Sequence, residues 1–131
     1  MNVFLLFAAA VLFCIGIMHT VVAEWKGDRR LVWRITRSTL FDSSDAQDVL
    51  AKRIVRLAWH LTSLVWCGTA TVLAYIAFVE ASESITVIVR ILAFVFLLHS
   101  ALSLAIARGK HASWIGFLIV SAFSFLGTIS F

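Results

Sequence analysis

Ile85-Thr-Val-Ile-Val-Arg-Ile-Leu-Ala-Phe-Val-Phe-Leu-Leu-His-Ser-Ala-Leu-Ser-Leu-Ala-Ile-Ala107 is a run of 23 residues with one formal charge, Arg90, and neither glycine nor proline. A bilayer's hydrocarbon core is about 30 Å thick, and a helix rising about 1.5 Å per residue crosses it in roughly 20 residues. So long and apolar a run reads as a transmembrane helix. Working outward, stretches of the same character cover about 1–23, about 54–79 and about 112–131. Only the short segments 80–84 and 108–111 separate the last three, and such tight connections make consecutive helices antiparallel neighbours. The expected fold is all-α: an integral membrane four-helix up-down bundle forming one domain, 1–131. Its helices are placed at about 1–23, 45–79, 85–107 and 112–131, with a cytoplasmic loop at about 24–44.

Composition agrees with this reading and excludes others. Of 131 residues, 62% are hydrophobic and 14% charged, with no proline. A water-soluble domain of this size leaves much of its surface exposed and could not hide so much apolar area. Disorder, collagen and a disulfide-stapled module are excluded on the same numbers. Cys14 and Cys67 both fall inside spans, which implies no structural disulfide. No phosphate-binding loop, dinucleotide fingerprint, nucleophile elbow or CxxC pair is present.

Lys and Arg accumulate on the cytoplasmic side of membrane proteins. Here Lys26, Arg29, Arg30, Arg34, Arg37, Lys52, Arg53 and Arg56 lie in or beside the first loop, and Arg108 and Lys110 in the third; of the 11 basic residues only Arg90 lies elsewhere. Both termini are therefore expected to face away from the cytoplasm. The first span has no preceding basic residue and stays apolar for a full crossing, so it reads as a retained helix rather than a cleaved signal. The net charge of +4 is explained by topology and lipid contact, without nucleic acid.

The first loop is patterned. Arg30, Arg34 and Arg37 fall on one helical face with Leu31, Val32 and Ile35 opposite, the signature of a short amphipathic helix lying in the interface with its cations on lipid headgroups. Ser43, Ser44 and Asp45 offer N-caps, with Gln47 three residues after Ser44, so a helix starts there and continues into the second span.

On this topology His19, His60, His99 and His111 each belong to a different helix and all share the cytoplasmic half, with Glu24 at the same boundary. Ionisable groups within a bilayer are costly and usually face the bundle interior or a wet cavity. Imidazole with carboxylate suits zinc, iron or copper, and a His60–His99 pair offers axial ligands for haem b. Ser63 and Cys67 share the His60 face and Ser103 follows His99 by one turn, positions from which they could support such ligands. The plainer alternative is that these histidines bond helix carbonyls and the serines let helices pack closely. Arg90 reads as snorkelling or pairing with Glu80 or Glu83.

The stretches Met18-His-Thr-Val-Val-Ala-Glu-Trp-Lys-Gly-Asp-Arg-Arg30, Arg56-Leu-Ala-Trp-His-Leu-Thr-Ser63 and Arg108-Gly-Lys-His-Ala-Ser-Trp114 resemble those of small bacterial four-span inner-membrane proteins, a group with no settled activity. The resemblance implies the bacterial inner membrane and the topology above. Three functional expectations follow from the residues. The leading one is a metal- or haem-binding protein using His19, Glu24, His60, His99 and His111. The second is a structural or accessory subunit of a larger membrane complex or homo-oligomer, packing through small residues such as Ala8–Ala10, Gly116 and Gly127. The third is a histidine-gated proton or ion channel.

Overall fold

A computed structural model describes residues 1–24 and 46–131, with side-chain surroundings defined outside 22–24, 46–48 and 52. The expected interfacial helix with Arg30, Arg34 and Arg37, and the candidate caps Ser43, Ser44 and Asp45, lie outside the described residues. The described chain forms four helices: α1 (Val3–Glu24), α2 (Ala46–Ile76), α3 (Glu83–Ala107) and α4 (Ser113–Ile129). Three contain stretches long and apolar enough to cross a membrane: Val3–Val21, Val49–Ile76 and Glu83–Ala107. The fourth is equally apolar but has 17 residues, a rise of about 25 Å, where the sequence suggested a full span over about 112–131.

Local chemistry sets the helix ends. Asn2 caps α1, its Oδ1 accepting the Leu5 N–H at 3.2 Å. Ser82 caps α3 in the same way, its Oγ accepting the Ile85 N–H at 3.2 Å. That side-chain oxygen satisfies one of the amide donors a helix start leaves without a partner. Helix α3 closes on Arg108 and Gly109, both in the left-handed region at φ 48° and 73°. There the Gly109 N–H reaches back to the Leu104 carbonyl at 3.1 Å. This reversal turns the chain into α4 within a few residues.

The packing order differs from the chain order. Helix α1 packs along both α2 and α4, and α4 packs along α3, giving a row α2–α1–α4–α3. The short connections predict α2–α3 and α3–α4 as neighbours; α3 and α4 do pack together, yet α2 and α3 share no seam comparable to these three. Small residues on the two central helices explain the order. A Cβ on Gly16 of α1 would lie 2.6 Å from the Cys67 sulfur of α2; on Gly127 of α4 it would lie 2.5 Å from Leu5 of α1. Missing side chains at these points allow the backbones to approach, as helices in lipid require when dispersion and not water drives association. The seams bury Leu5, Ala8 and Leu12 of α1, Ala70 and Leu73 of α2, and Phe117 and Val120 of α4.

Asn2 ties three helices at the end opposite the histidines. Its amide Nδ2 donates to the Gly127 carbonyl at 2.8 Å, and its backbone N–H donates to the Ala77 carbonyl at 2.7 Å. The start of α1, the end of α4 and the turn after α2 are thus held by one buried side chain and its own backbone. Helices α3 and α4 are stitched by serines. Ser100 Oγ donates to the Trp114 carbonyl at 2.8 Å, Ser121 Oγ to the Ala93 carbonyl at 2.8 Å, and Ser103 and Ser113 bond to each other.

Candidate histidine site on the α1–α2 seam

The far end of the α1–α2 seam is built around His19. Helix α2 presents Trp59, Ser63, Trp66, Ala70 and Leu73 at alternating spacings of four and three, one continuous face. This face meets α1, and His19 packs onto its first two turns. The His19 ring stacks on Trp59 with centroids 4.0 Å apart and planes 4° from parallel. The Trp59 indole N–H donates to the His19 carbonyl at 3.0 Å. His19 Nδ1 lies 2.8 Å from Ser63 Oγ.

Ser63 Oγ also lies 3.4 Å from the Trp59 carbonyl, which can only accept. When the hydroxyl donates to that carbonyl, the serine oxygen accepts from His19 Nδ1–H, and this tautomer leaves the Nε2 lone pair for a ligand. His99 reaches the same tautomer by another route. Its Nδ1 is 2.9 Å from the Val95 carbonyl one turn earlier, so it donates, and Nε2 again carries a lone pair. His111 is the reverse case. Its Nδ1 accepts the Ser113 N–H at 3.3 Å, which caps the start of α4 where Ala112 has no polar side chain.

Trp66 meets both His19 and His99. It meets His19 edge-on at 4.8 Å and His99 at 6.4 Å, and its other neighbour is Phe117 at 5.0 Å. His99 is walled further by Phe117 at 5.5 Å and Phe96 at 5.9 Å. The four helices thus contribute to an aromatic cluster in which Trp66 meets both imidazoles. His60 lies on the neighbouring face of α2, half-buried.

His60, Ser63 and Cys67 line a groove of about 450 Å³ between α1 and α2, with Gly16, Ile17, Thr20 and Val21 on the α1 side. His99 is not among its lining residues, so the groove presents one imidazole and not the His60–His99 pair. Cys67 sits against Gly16. Ser103 is engaged with Ser113 across α3 and α4. Glu24 is the last residue of α1, and its side chain lies outside the described set. Among the described residues, no three His, Cys, Asp or Glu side chains come together as a metal-binding group.

Sequence reasoning placed the histidines toward one end but did not single out Trp59 and Trp66, the two indoles that meet the His19 ring. The alternating spacing of Trp59, Ser63 and Trp66 on one face was the available signal. No family model, curated protein or solved structure matches this chain.

Proposed function

We propose that this chain is a multi-pass protein of the bacterial inner membrane that binds a transition metal or haem through imidazoles at its basic, cytoplasmic end. The observation that carries the reading is His19. Ser63 and Trp59 hold its ring, its Nδ1 is engaged by the serine hydroxyl, so Nε2 is the nitrogen available to a ligand, and His60 lines the groove of the same seam. An imidazole whose second nitrogen is anchored by a protein acceptor is the arrangement used by metal-bound histidine. His19 and His60 would supply two nitrogen donors, with Glu24 as the carboxylate nearest in sequence. The bound group would supply Lewis-acid or electron-transfer chemistry. The chain's own contribution is to orient His19 and exclude water with Trp59 and Trp66.

Membrane placement rests on the three long apolar helices and on outward-facing residues such as Leu64, Phe94, Leu102 and Ile106, which are 60–82% exposed. Orientation rests on the basic residues of the first and third loops. The direct test is metal analysis and a visible spectrum of protein purified from membranes. Stoichiometric metal or a Soret band, lost in His19→Ala with His60→Ala, is expected. Absence of both from the native protein refutes the reading.

A second reading, an accessory subunit, is favoured by Arg90. It is exposed on α3, the outer helix of the row, and has no ion pair or hydrogen bond among the described residues. A partner helix carrying a carboxylate would satisfy it. Co-purification of one fixed partner, lost on Arg90→Leu, is the expected result.

A further inference from the structure

The groove between α1 and α2 has a direction and a charged end. Its α2 wall runs from Leu57 to Cys67, ten residues and therefore about 15 Å along the axis. That is half of a hydrocarbon core about 30 Å thick, the depth of one leaflet. The groove is lined chiefly by apolar side chains and is open rather than enclosed, so acyl chains would reach it if the helices span a membrane. Arg53, Leu57, His60, Leu64 and Cys67 recur at alternating spacings of four and three, so Arg53 continues the groove's own face one turn beyond its end. Arg53 is exposed and stands about 6 Å past Leu57, toward the basic end of the helix.

A groove one leaflet deep with a guanidinium above it matches one kind of molecule: an anionic head joined to a hydrocarbon tail. We infer that the α1–α2 groove binds a single anionic phospholipid. Its phosphate sits at Arg53, its ester region lies near His60, and an acyl chain lies over Leu61 and Leu64 against Ile17. Thr20 and His60 place the groove's polar atoms near the head, while the deeper wall offers Leu64 and the Cys67 thiol. The inference rests on the membrane placement proposed above and is independent of metal or haem, because it requires no coordination by His19.

The test uses full-length protein reconstituted in phosphatidylcholine vesicles containing a minority of phosphatidylglycerol, re-extracted gently and weighed by native mass spectrometry. One retained phosphatidylglycerol per chain, enriched over its share in the vesicle, is expected. Arg53→Gln should cut the enrichment by about fivefold, the effect of one juxtamembrane arginine. Leu64→Trp, which fills the groove from an exposed position, should abolish retention of either lipid. Leu64→Phe serves if the tryptophan variant does not fold, and Arg108→Gln should leave retention unchanged. Equal retention of both lipids, or retention that survives filling of the groove, overturns the inference. So does a stoichiometric mass from a different apolar molecule. Metal and haem are assayed in the same preparations. Because the groove variants keep every imidazole, loss of lipid with metal retained, or the converse, separates the two proposals.

Discussion

Replacing Ser63 by alanine tests the architecture of the histidine site directly. Ser63 is 4% exposed and its Oγ lies 2.8 Å from His19 Nδ1. The substitution leaves an imidazole N–H facing a methyl group between two tryptophans. In water-soluble proteins an orphaned buried donor costs about 1–3 kcal/mol. Between membrane helices the measured worth of such bonds averages about 0.6 kcal/mol and reaches about 1.7, because the separated helices also find partners. On the proposed membrane placement the smaller scale governs, because both helices of this pair are long and apolar enough to cross a membrane, and the expected cost is about 0.6–1.7 kcal/mol. His19→Phe removes the donor and keeps a ring for stacking on Trp59, so it should cost less than His19→Ala. With both partners apolar, Ser63→Ala with His19→Phe should be nearly as stable as His19→Phe alone. A double-mutant cycle on detergent unfolding, followed by circular dichroism, reads the coupling. Strict additivity of the two substitutions would refute the hydrogen bond, and with it the tautomer on which the ligand reading stands.

Other outcomes follow from the same geometry. Asn2→Ala removes both the cap of α1 and the bond to the Gly127 carbonyl, and should cost about 1–3 kcal/mol in the same unfolding assay. Gly127→Ala drives a methyl against fully buried Leu5 and should cost about 1–3 kcal/mol, with Leu5→Ala less harmful in that background than alone. Ser124 Oγ is buried without a hydrogen-bond partner among the described residues, so Ser124→Ala should be neutral or stabilising. On the proposed orientation, with the basic loops cytoplasmic, alkaline phosphatase fused after Phe131 should be active in a bacterial host; activity only from a fusion in the 108–111 turn would reverse the orientation.

Which parts of this molecule could be read from its sequence follows from the range of each interaction. Three long helices were legible because run length and the absence of proline act locally. The length of α4 was not. Its stretch ends in Thr128 and Ser130, whose hydroxyls bond the Phe125 and Gly127 carbonyls, and the helix closes at Ile129. The packing order was also hidden, since short loops suggest neighbours and carry no information about seams. Gly16, Gly116, Ser121, Ser124 and Gly127 nevertheless concentrate small residues on α1 and α4, the helices found at the centre. The shared end of the histidines was visible from spacing alone. That His19 would pair with Ser63 and meet Trp66 depends on α1 and α2 meeting through Gly16 and Cys67, a contact between residues 51 apart in the chain.

The two halves of the row spend their polar groups differently, and this bears on where function resides. In α3 and α4, Ser100, Ser103, Ser113 and Ser121 all bond across the seam, so their hydroxyls are consumed in holding the pair together. His99 is likewise bonded to its own helix. On the α1–α2 seam, close approach is achieved by a glycine against a thiol and needs no hydroxyl. Among the described hydroxyls, Ser63 is used there to orient His19. Thr20 and His60 line a groove on this seam, and the serine-stitched α3–α4 pair contributes no residue to it. Ionisable groups on apolar helices tend to face a bundle interior or a cavity. The α1–α2 half, which carries the groove, is therefore where a ligand should be sought. On this argument, exchanging Ser100 or Ser121 for alanine should lower stability while leaving any bound metal, haem or lipid in place. Changes at His60 or Leu64 should do the opposite.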